Sequence, residues 1–242
     1  MPHGVTFSVS TWRQPTPSPA AADRARVLDL VVDRITALGE HRLRVAVDGL
    51  TAAGKTSLGH ELARELTTRG RPAFRASLDD FKRPWSEAHL YDRVSGDGYY
   101  RNAFDLDAVR RLLLDPAGPG GDGTVALCSI DPLTQVDHSA VTVQLPPDAV
   151  LLVDGVFACR PELNASWDLR VWVDIDPELS VRRGSARDAD LEGGIEAAEA
   201  LHRDRYLAAE TIYLDEVDPR AIADLVLENT EIDRPHLHVR GA

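Results

Sequence analysis

A run of eight residues, from Gly49 to Thr56, has the residue types and the spacing that bind a phosphate group. It reads Gly-Leu-Thr-Ala-Ala-Gly-Lys-Thr and matches the pattern G-x-x-x-x-G-K-[ST]. The two glycines let the backbone turn tightly, so that successive N–H groups and the start of a following helix can hold phosphate oxygens. In this pattern Lys55 would reach the β- and γ-phosphates of a nucleotide, and the Thr56 hydroxyl would bind Mg²⁺.

The segments on either side of this run have the patterns of a strand and a helix. Residues 43–48 are rich in valine, as in a buried strand, and Leu58, Leu62 and Leu66 share one helical face before Gly70. A glycine turn that binds nothing is the alternative, but it gives no reason for a lysine at a helix start, where the helix dipole disfavours a cation. We therefore predict a phosphate-binding loop. Its predicted nucleotide contacts are Gly49, Thr51, Ala52, Ala53, Gly54, Lys55, Thr56 and Ser57.

Three acidic residues follow predicted strands, at the edge where open α/β sheets bind ligands. Asp154 ends the apolar run 150–153, and Asp79 and Asp80 end the predicted strand 72–78. A carboxylate there could face Mg²⁺ or accept a proton from an attacking hydroxyl group. Adjacent acids point in different directions, so one of Asp79 and Asp80 is expected to act and the other to be structural. An acidic turn that only caps a helix is the alternative. The predicted Mg²⁺ ligands are Thr56, Asp79 and Asp154.

The charged segment 182–213 is predicted to form a helical lid over the phosphates. The pair Gly193-Gly194 near its middle would let it move. Positive groups stabilise the charge that collects on a transferring phosphoryl group. The segment contains five arginines, which are Arg182, Arg183, Arg187, Arg203 and Arg205. Any one of them could instead pair with a neighbouring acid on a solvated helix, so we expect one or two to contact phosphate, Arg187 first.

Several residues could contact a second substrate. His138 lies in the connection between two alternating runs, 124–130 and 141–145, that predict a β-hairpin. A histidine in such a loop could contact substrate or lie on the surface. Tyr100 and the aromatic residues near it could line an acceptor pocket or simply pack. The predicted acceptor contacts are Asp80, Tyr100, His138 and Arg183.

Composition limits the classes of partner. The chain has 242 residues and a net charge of −12 without a basic block, which argues against nucleic acid as a partner. No apolar run reaches the length of a membrane span, and the N-terminus lacks the apolar core of a signal peptide. Cys128 and Cys159 lie in apolar runs without metal-site spacing and are predicted to be core thiols of a cytoplasmic protein, with a disulfide as the alternative. A homo-oligomer is possible.

The order of patterns predicts one α/β domain. Strands and helices alternate, which indicates a three-layer P-loop NTPase fold with a mainly parallel sheet. The hairpin would be a small insert, the segment 182–213 a lid, and residues 223–228 the last strand, followed by a polar segment that forms an edge or a tail. Residues 1–17, with three prolines and little periodicity, are predicted to be a flexible arm. Residues 18–242 are predicted to form a single P-loop domain that begins with a helix capped by Ser18.

Several short motifs of the chain resemble those of a known family. Val47-Asp48-Gly49 leading into the glycine loop, Ser77-Leu78-Asp79-Asp80-Phe81 and Asn102-Ala103-Phe104-Asp105 are similar to the uridine kinase and phosphoribulokinase group. That group includes nicotinamide riboside kinases and one class of pantothenate kinases. The resemblance continues through Val153-Asp154-Gly155 and Ala186-Arg187-Asp188 and covers most of residues 42–230.

The resemblance implies a kinase that transfers the γ-phosphate of ATP, with Mg²⁺, to a hydroxyl group of a small metabolite. It implies that Asp79 is the catalytic base, that Arg187 belongs to the closing lid and that His138 helps to hold a nucleoside. A nucleoside is the first expectation for the acceptor. Residues 133–136 have no aromatic side chain where uridine kinases carry them. Nicotinamide riboside, pantothenate and a sugar or glycerate-like acid therefore stay open, as do GTP as donor and a nucleotide-binding switch without kinase activity.

Overall fold

The computed structural model describes residues 4–240. Within them, the strands are β1 Thr6–Phe7, β2 Leu43–Gly49, β3 Ala73–Ser77, β4 Thr124–Ala126, β5 Thr142–Gln144, β6 Val150–Asp154, β7 Leu169–Asp174, β8 Leu225–Glu228 and β9 His236–Val239. The helices are α1 Ala22–Thr36, α2 Lys55–Thr68, α3 Gly96–Asn102, α4 Leu106–Val109, α5 Asp115–Ala117, α6 Pro161–Asn164, α7 Pro177–Asp188, α8 Ile195–Leu201, α9 Ala208–Val217 and α10 Pro219–Ile222. Wider π turns span Arg110–Leu114 and His202–Leu207, and 3₁₀ turns span Leu78–Phe81 and Trp85–Glu87.

Seven strands form one sheet in the order β1-β3-β6-β2-β7-β8-β9. All neighbours pair in parallel except β8 and β9. Every residue of β2 and β6 is buried, as expected for central parallel strands covered by helices on both faces. Helix α2 packs on β2, β3 and β6, and α1 packs on α2. The predicted α/β fold with a mainly parallel sheet is confirmed.

The strand order brings three sequence motifs to one edge of the sheet. Because β6 lies between β2 and β3, its last residue Asp154 pairs in register with Val47 of β2 and with Ser77 of β3. The phosphate-binding loop leaves β2 beyond this point, and Asp79 and Asp80 follow β3 directly. The carboxyl ends of these parallel strands therefore place all three segments beside one another.

Local signals in the sequence agree with the structure at some element ends and fail at others. Asp105 caps α4 by accepting from the Ala108 N–H, and Asp176 caps α7 in the same way. The predicted hairpin is present as the antiparallel pair β4 and β5. Helix α1 begins at Ala22, however, and not at the Ser18 cap. The strand β8 is not the last, since the polar C-terminal segment returns as the antiparallel edge strand β9.

The N-terminal segment has more structure than a flexible arm requires. Strand β1 extends the sheet by pairing in parallel with β3, and Thr11 donates from its N–H and its hydroxyl to Asp131, at 2.6 and 2.9 Å. The segment thus adds a strand to the edge of the sheet. The mobility of the arm stays a prediction, and its first three residues lie outside the described part.

Two further sequence expectations concern the cysteines and membranes. Cys128 and Cys159 are both buried and are free thiols, so the disulfide alternative is wrong. Between residues 4 and 240, no helix combines the length and the apolar character needed to cross a bilayer.

Candidate active site

The loop after β2 has the backbone geometry that its sequence demands. Gly49 has a φ of +151°, and a Cβ atom there would lie 2.5 Å from the Val173 carbonyl oxygen. Gly54 has a φ of +99°, and a Cβ atom there would lie 2.7 Å from the side-chain nitrogen of Asn229. That nitrogen donates to the Ala53 carbonyl at 2.7 Å and fixes the loop. No other residue type fits at these two positions without strain.

Lys55 opens helix α2 and is buried at the loop. Its Nζ donates to the Leu50 carbonyl oxygen at 2.7 Å, so the loop curls around its own lysine. Burial lowers the pKa of Lys55, and the carboxylates of Glu210 and Asp48 partly offset this. Glu210 also accepts from the N–H and hydroxyl of Thr51, at 2.5 and 2.7 Å. The lysine is thus a buried cation surrounded by acids, at the position where the motif places a phosphate.

A cleft of about 520 Å³ opens above this loop. Residues 51–57 form its floor, and Asp79, Asp154, Arg183 and Arg187 line its sides. Gly49 lies below, in β2, and turns the chain without lining the cleft. The structure therefore brings together seven of the eight predicted loop contacts, two of the three predicted acids and two of the predicted lid arginines.

Asp79 is a carboxylate with one oxygen engaged. Its Oδ1 lies 2.7 Å from Nζ of Lys82, and no further side-chain partner is found among the described residues. Burial alone would raise the pKa of Asp79, but the charges of Lys82, Lys55 and Arg187 outweigh burial and hold its pKa below the ordinary value. Asp79 is therefore ionised at neutral pH and keeps Oδ2 for another ligand.

Asp154 and Thr56 form the part of the cleft that could hold a metal ion. The Thr56 hydroxyl donates to Asp154 Oδ2 at 2.6 Å, and Arg75 pairs with the other carboxylate oxygen. Mg²⁺ prefers oxygen ligands and is usually held by one or two carboxylates together with substrate phosphates. The donor set fits that description. In residues 4–240 no group of three or more His, Cys, Asp or Glu side chains could hold a metal by itself, so phosphate oxygens and water would complete the coordination.

The lid arginines differ in what they contact. Arg187 lines the cleft and is oriented by Asp188 through two hydrogen bonds of 2.7 and 2.8 Å. Asp188 in turn lies 2.9 Å from Nε2 of the buried His202. Arg183 also lines the cleft and donates to the Thr230 carbonyl at 2.9 Å. Arg203 turns to solvent instead, where it pairs with Glu178 and Glu199.

Three predicted acceptor contacts do not reach the cleft. The Asp80 side chain points into a smaller cavity of about 150 Å³ beneath the N-terminal segment, and burial raises its pKa to about 7 against hydrogen bonds from Ser10 and Ser8. Tyr100 is buried in an aromatic cluster with Phe157, and the neighbouring Tyr99 lines the cleft in its place. His138 lines neither this cleft nor the smaller cavity.

Two residues at the site were missed from the sequence. Lys82 lies three positions after Asp79, a spacing that brings side chains together in a helical turn and could have revealed the ion pair. Glu210 contacts Thr51 from a helix more than 150 residues away, and no local pattern marks it.

The chain is similar in sequence to known kinases and similar in fold to a solved structure. No protein-family model matches the chain. A uridine kinase of Leuconostoc citreum is 26% identical over 161 residues, which cover 64% of this chain and 73% of the relative. Uridine-cytidine kinase B of Dictyostelium discoideum is 26% identical over 200 residues, which cover 79% of this chain and 80% of the relative. A solved structure of a possible uridine kinase from Bacillus stearothermophilus matches with a TM-score of 0.64 at 23% identity, over 84% of this chain and 97% of that one.

The fold and the sequence relatives point in the same direction. The solved structure shares the architecture of the sheet and helices, and the two sequence relatives are kinases whose likeness spans most of their length. The chain is thus similar in sequence to uridine kinases and shares the fold of a possible uridine kinase, which supports an enzyme of the small-molecule kinase class.

Proposed function

We propose that the protein transfers the γ-phosphoryl group of ATP to a hydroxyl group of a small metabolite. The observation that carries this proposal is the placement of Asp79. An ionised carboxylate with a free oxygen lines the same cleft as the phosphate-binding loop and Lys55. In a kinase, such a group can receive the proton of the attacking hydroxyl.

The proposed step follows from the positions of these side chains. The acceptor hydroxyl oxygen forms a bond to the γ-phosphorus as the bond between that phosphorus and the β–γ bridging oxygen breaks. The hydroxyl proton passes to Oδ2 of Asp79, and ADP leaves with the bridging oxygen. Because the transition state of such transfers is loose, positioning and charge contribute more than the strength of the base.

Positive charge would come from both sides of the cleft. Lys55 and the loop N–H groups hold the β- and γ-phosphates, and Arg187 approaches the transferring group from the lid. Thr56 and Asp154 would hold Mg²⁺, with Asp79 nearby, and the bound ion would supply positive charge that neutralises the phosphates. The pairing of Arg187 with Asp188 orients its guanidinium at the cleft.

The test is ADP release from Mg-ATP with and without a panel of acceptors. Nucleosides come first, since the sequence relatives are named as uridine and uridine-cytidine kinases. Nicotinamide riboside, pantothenate and glycerate complete the panel. We expect ADP release to rise well above background hydrolysis with at least one acceptor. Tight ATP binding with slow hydrolysis that no acceptor accelerates would contradict the proposal and indicate a nucleotide-binding switch.

A further inference from the structure

A second cavity, of about 680 Å³, lies beside the nucleotide cleft. The two share a wall that includes Lys82, Tyr99 and Tyr206. Because Nζ of Lys82 lies 2.7 Å from Oδ1 of Asp79, this shared wall is next to the proposed base. The volume is that of a site for a small organic molecule.

Three arginines line this cavity without lining the nucleotide cleft. The first is Arg205, in the π turn that precedes α9. Its guanidinium stacks on Tyr99 at 4.7 Å and on Tyr206 at 5.6 Å from the ring centres. Its Nε is shielded from solvent and has no hydrogen-bond partner in residues 4–240, and no carboxylate of that part of the chain forms an ion pair with it. The two rings thus position the Arg205 guanidinium, which has no ion-pair partner in the described part of the chain.

The other two arginines, Arg83 and Arg93, lie close to each other. The Arg83 guanidinium covers the Tyr91 ring at 4.9 Å, its Nε is also buried without a described partner, and the nearest carboxylate, Glu87, is 3.8 Å away. Arg93 donates to the Arg83 carbonyl at 2.6 Å. Burial lowers the pKa of Arg93, Glu87 partly offsets this, and the charges of Arg205 and Arg83 lower its pKa further. The three guanidinium groups therefore share one electrostatic environment.

Two acids, Asp92 in the lining and Glu87 beside it, face the three arginines of this cavity. Asp92 is the acidic residue in its lining, and the carboxylate of Asp92 already accepts from Val94 N–H at 2.9 Å and from Ser95. Several arginines elsewhere in the described chain have acidic partners, and Arg69 contacts three carboxylates. A positive cavity in a chain of net charge −12 indicates a negatively charged ligand.

We propose that this cavity is the acceptor site and that the acceptor carries a carboxylate or phosphate group in addition to the hydroxyl that is phosphorylated. Guanidinium groups match the planar, paired oxygens of such anions. Arg83, Arg93 and Arg205 would bind the anionic end, and the rings of Trp85 and Tyr91 would contact the body of the molecule. The proposal rests on the proposed kinase function and selects an acidic acceptor over an uncharged nucleoside.

The first experiment measures binding with the nucleotide site filled. Enzyme saturated with Mg-ADP is titrated calorimetrically with pairs that differ in the anion: glycerate and glycerol, pantothenate and panthenol, fructose 6-phosphate and fructose. We expect an anionic member to bind at least tenfold more tightly than its uncharged counterpart. The first two pairs test a carboxylate and the third a phosphate. Equal affinity within all three pairs would overturn the proposal.

Variants then assign the binding to the cavity. Arg205→Gln should weaken binding of the anion about 10- to 100-fold, as expected for loss of a charged hydrogen-bonding partner. Arg205→Lys retains the charge and should restore part of the affinity. Arg203→Gln, two residues away and paired on the surface, is the matched control and should bind as the wild type does. An equal loss in Arg203→Gln and Arg205→Gln would contradict the assignment.

ADP release separates this proposal from the kinase function on which it rests. We expect the anion that binds through Arg205 to stimulate ADP release, with a higher KM in Arg205→Gln. An uncharged nucleoside that is phosphorylated equally well by wild type and Arg205→Gln would overturn the acidic acceptor and leave the kinase function standing. Anion binding without ADP release for any acceptor would contradict the kinase function itself and, with it, the acceptor role of the cavity.

Discussion

The nucleotide cleft and the second cavity share a wall but are built in different ways. The floor of the cleft is one continuous stretch, residues 51–57, held between a buried strand and a helix. The second cavity is lined by side chains from four separate parts of the chain, namely Trp12, residues 82–103, residues 132–135 and residues 191–206. The cleft would bind a ligand largely through backbone groups, and the second cavity would bind one through side chains.

This difference shows how donor and acceptor recognition can be separated within one fold. Backbone N–H groups at a helix start recognise phosphate whatever the neighbouring side chains are. The acceptor side depends on which residues occupy the connections, so the choice of acceptor can change while the donor side is retained. Substitutions on the two sides should therefore have different effects, and the expected results below run from the largest to the smallest.

The largest effect is expected on the donor side, from Lys55→Ala. The substitution removes the buried cation at the phosphate position, so both ATP affinity and turnover should fall, with kcat/KM lower by about 10³-fold or more. Calorimetric ATP binding and steady-state ADP release measure the two quantities. Unchanged ATP binding in a correctly folded Lys55→Ala variant would mean that the loop does not hold the nucleotide.

An intermediate effect is expected at the shared wall, from Lys82→Met. In the wild type, the charge of Lys82 is the largest contribution that counteracts burial and keeps the pKa of Asp79 below its ordinary value. Without that charge, burial should raise the pKa of Asp79. The acid side of the profile of kcat against pH should then move to higher pH.

The conservative variant Lys82→Arg is the control for this pH shift. It retains a positive charge beside Asp79 and should keep a profile close to that of the wild type. Superimposable profiles for Lys82→Met and wild type would show that Lys82 does not set the ionisation of Asp79.

The smallest effect is expected outside both regions, from Asp80→Asn, and it concerns stability. The pKa of Asp80 is raised to about 7 in the folded protein, mainly by burial, whereas an unfolded aspartate titrates near the ordinary value of 3.8. Between these two values the folded state holds a proton that the unfolded state has lost. Asp80 thus stabilises the fold at low pH, and this contribution decreases as the pH rises to 7, by about 1.4 kcal/mol per pH unit.

Thermal unfolding of the wild type and of Asp80→Asn at several pH values checks the direction of this change in stability. The Asn side chain cannot ionise, so Asp80→Asn should gain stability relative to the wild type when the pH is raised from 5 to 8. A difference between the two melting temperatures that does not change with pH would mean that Asp80 is already ionised in the folded protein at pH 5.

The contrast between one continuous loop and a cavity assembled from separate segments explains what could be predicted from the sequence. The sheet, the loop and the caps at Asp105 and Asp176 depend on neighbouring residues, and their patterns are visible in a local stretch. Tyr99 and Tyr100 show the limit. Successive residues of a helix point about 100° apart, so one tyrosine lines the cleft and the other packs in the core, and only the docking of α3 decides which.

The second cavity shows the limit more clearly. Arg83 and Arg205 lie more than 100 residues apart in sequence and meet only because the lid folds over the connection after β3. The composition does not predict it either, because a net charge of −12 does not reveal a local positive site. Long-range packing, and not local propensity, creates this feature.

The most direct test of the account compares the two adjacent acids at the end of β3. Acceptor-dependent ADP release is measured at pH 7.5 for wild type, Asp79→Asn and Asp80→Asn. If Asp79 receives the hydroxyl proton, Asp79→Asn should lower kcat about 10²- to 10⁴-fold with ATP affinity nearly unchanged, whereas Asp80→Asn should retain most of its activity. Retained turnover in Asp79→Asn, or an equal loss in both variants, would contradict the proposed role of Asp79.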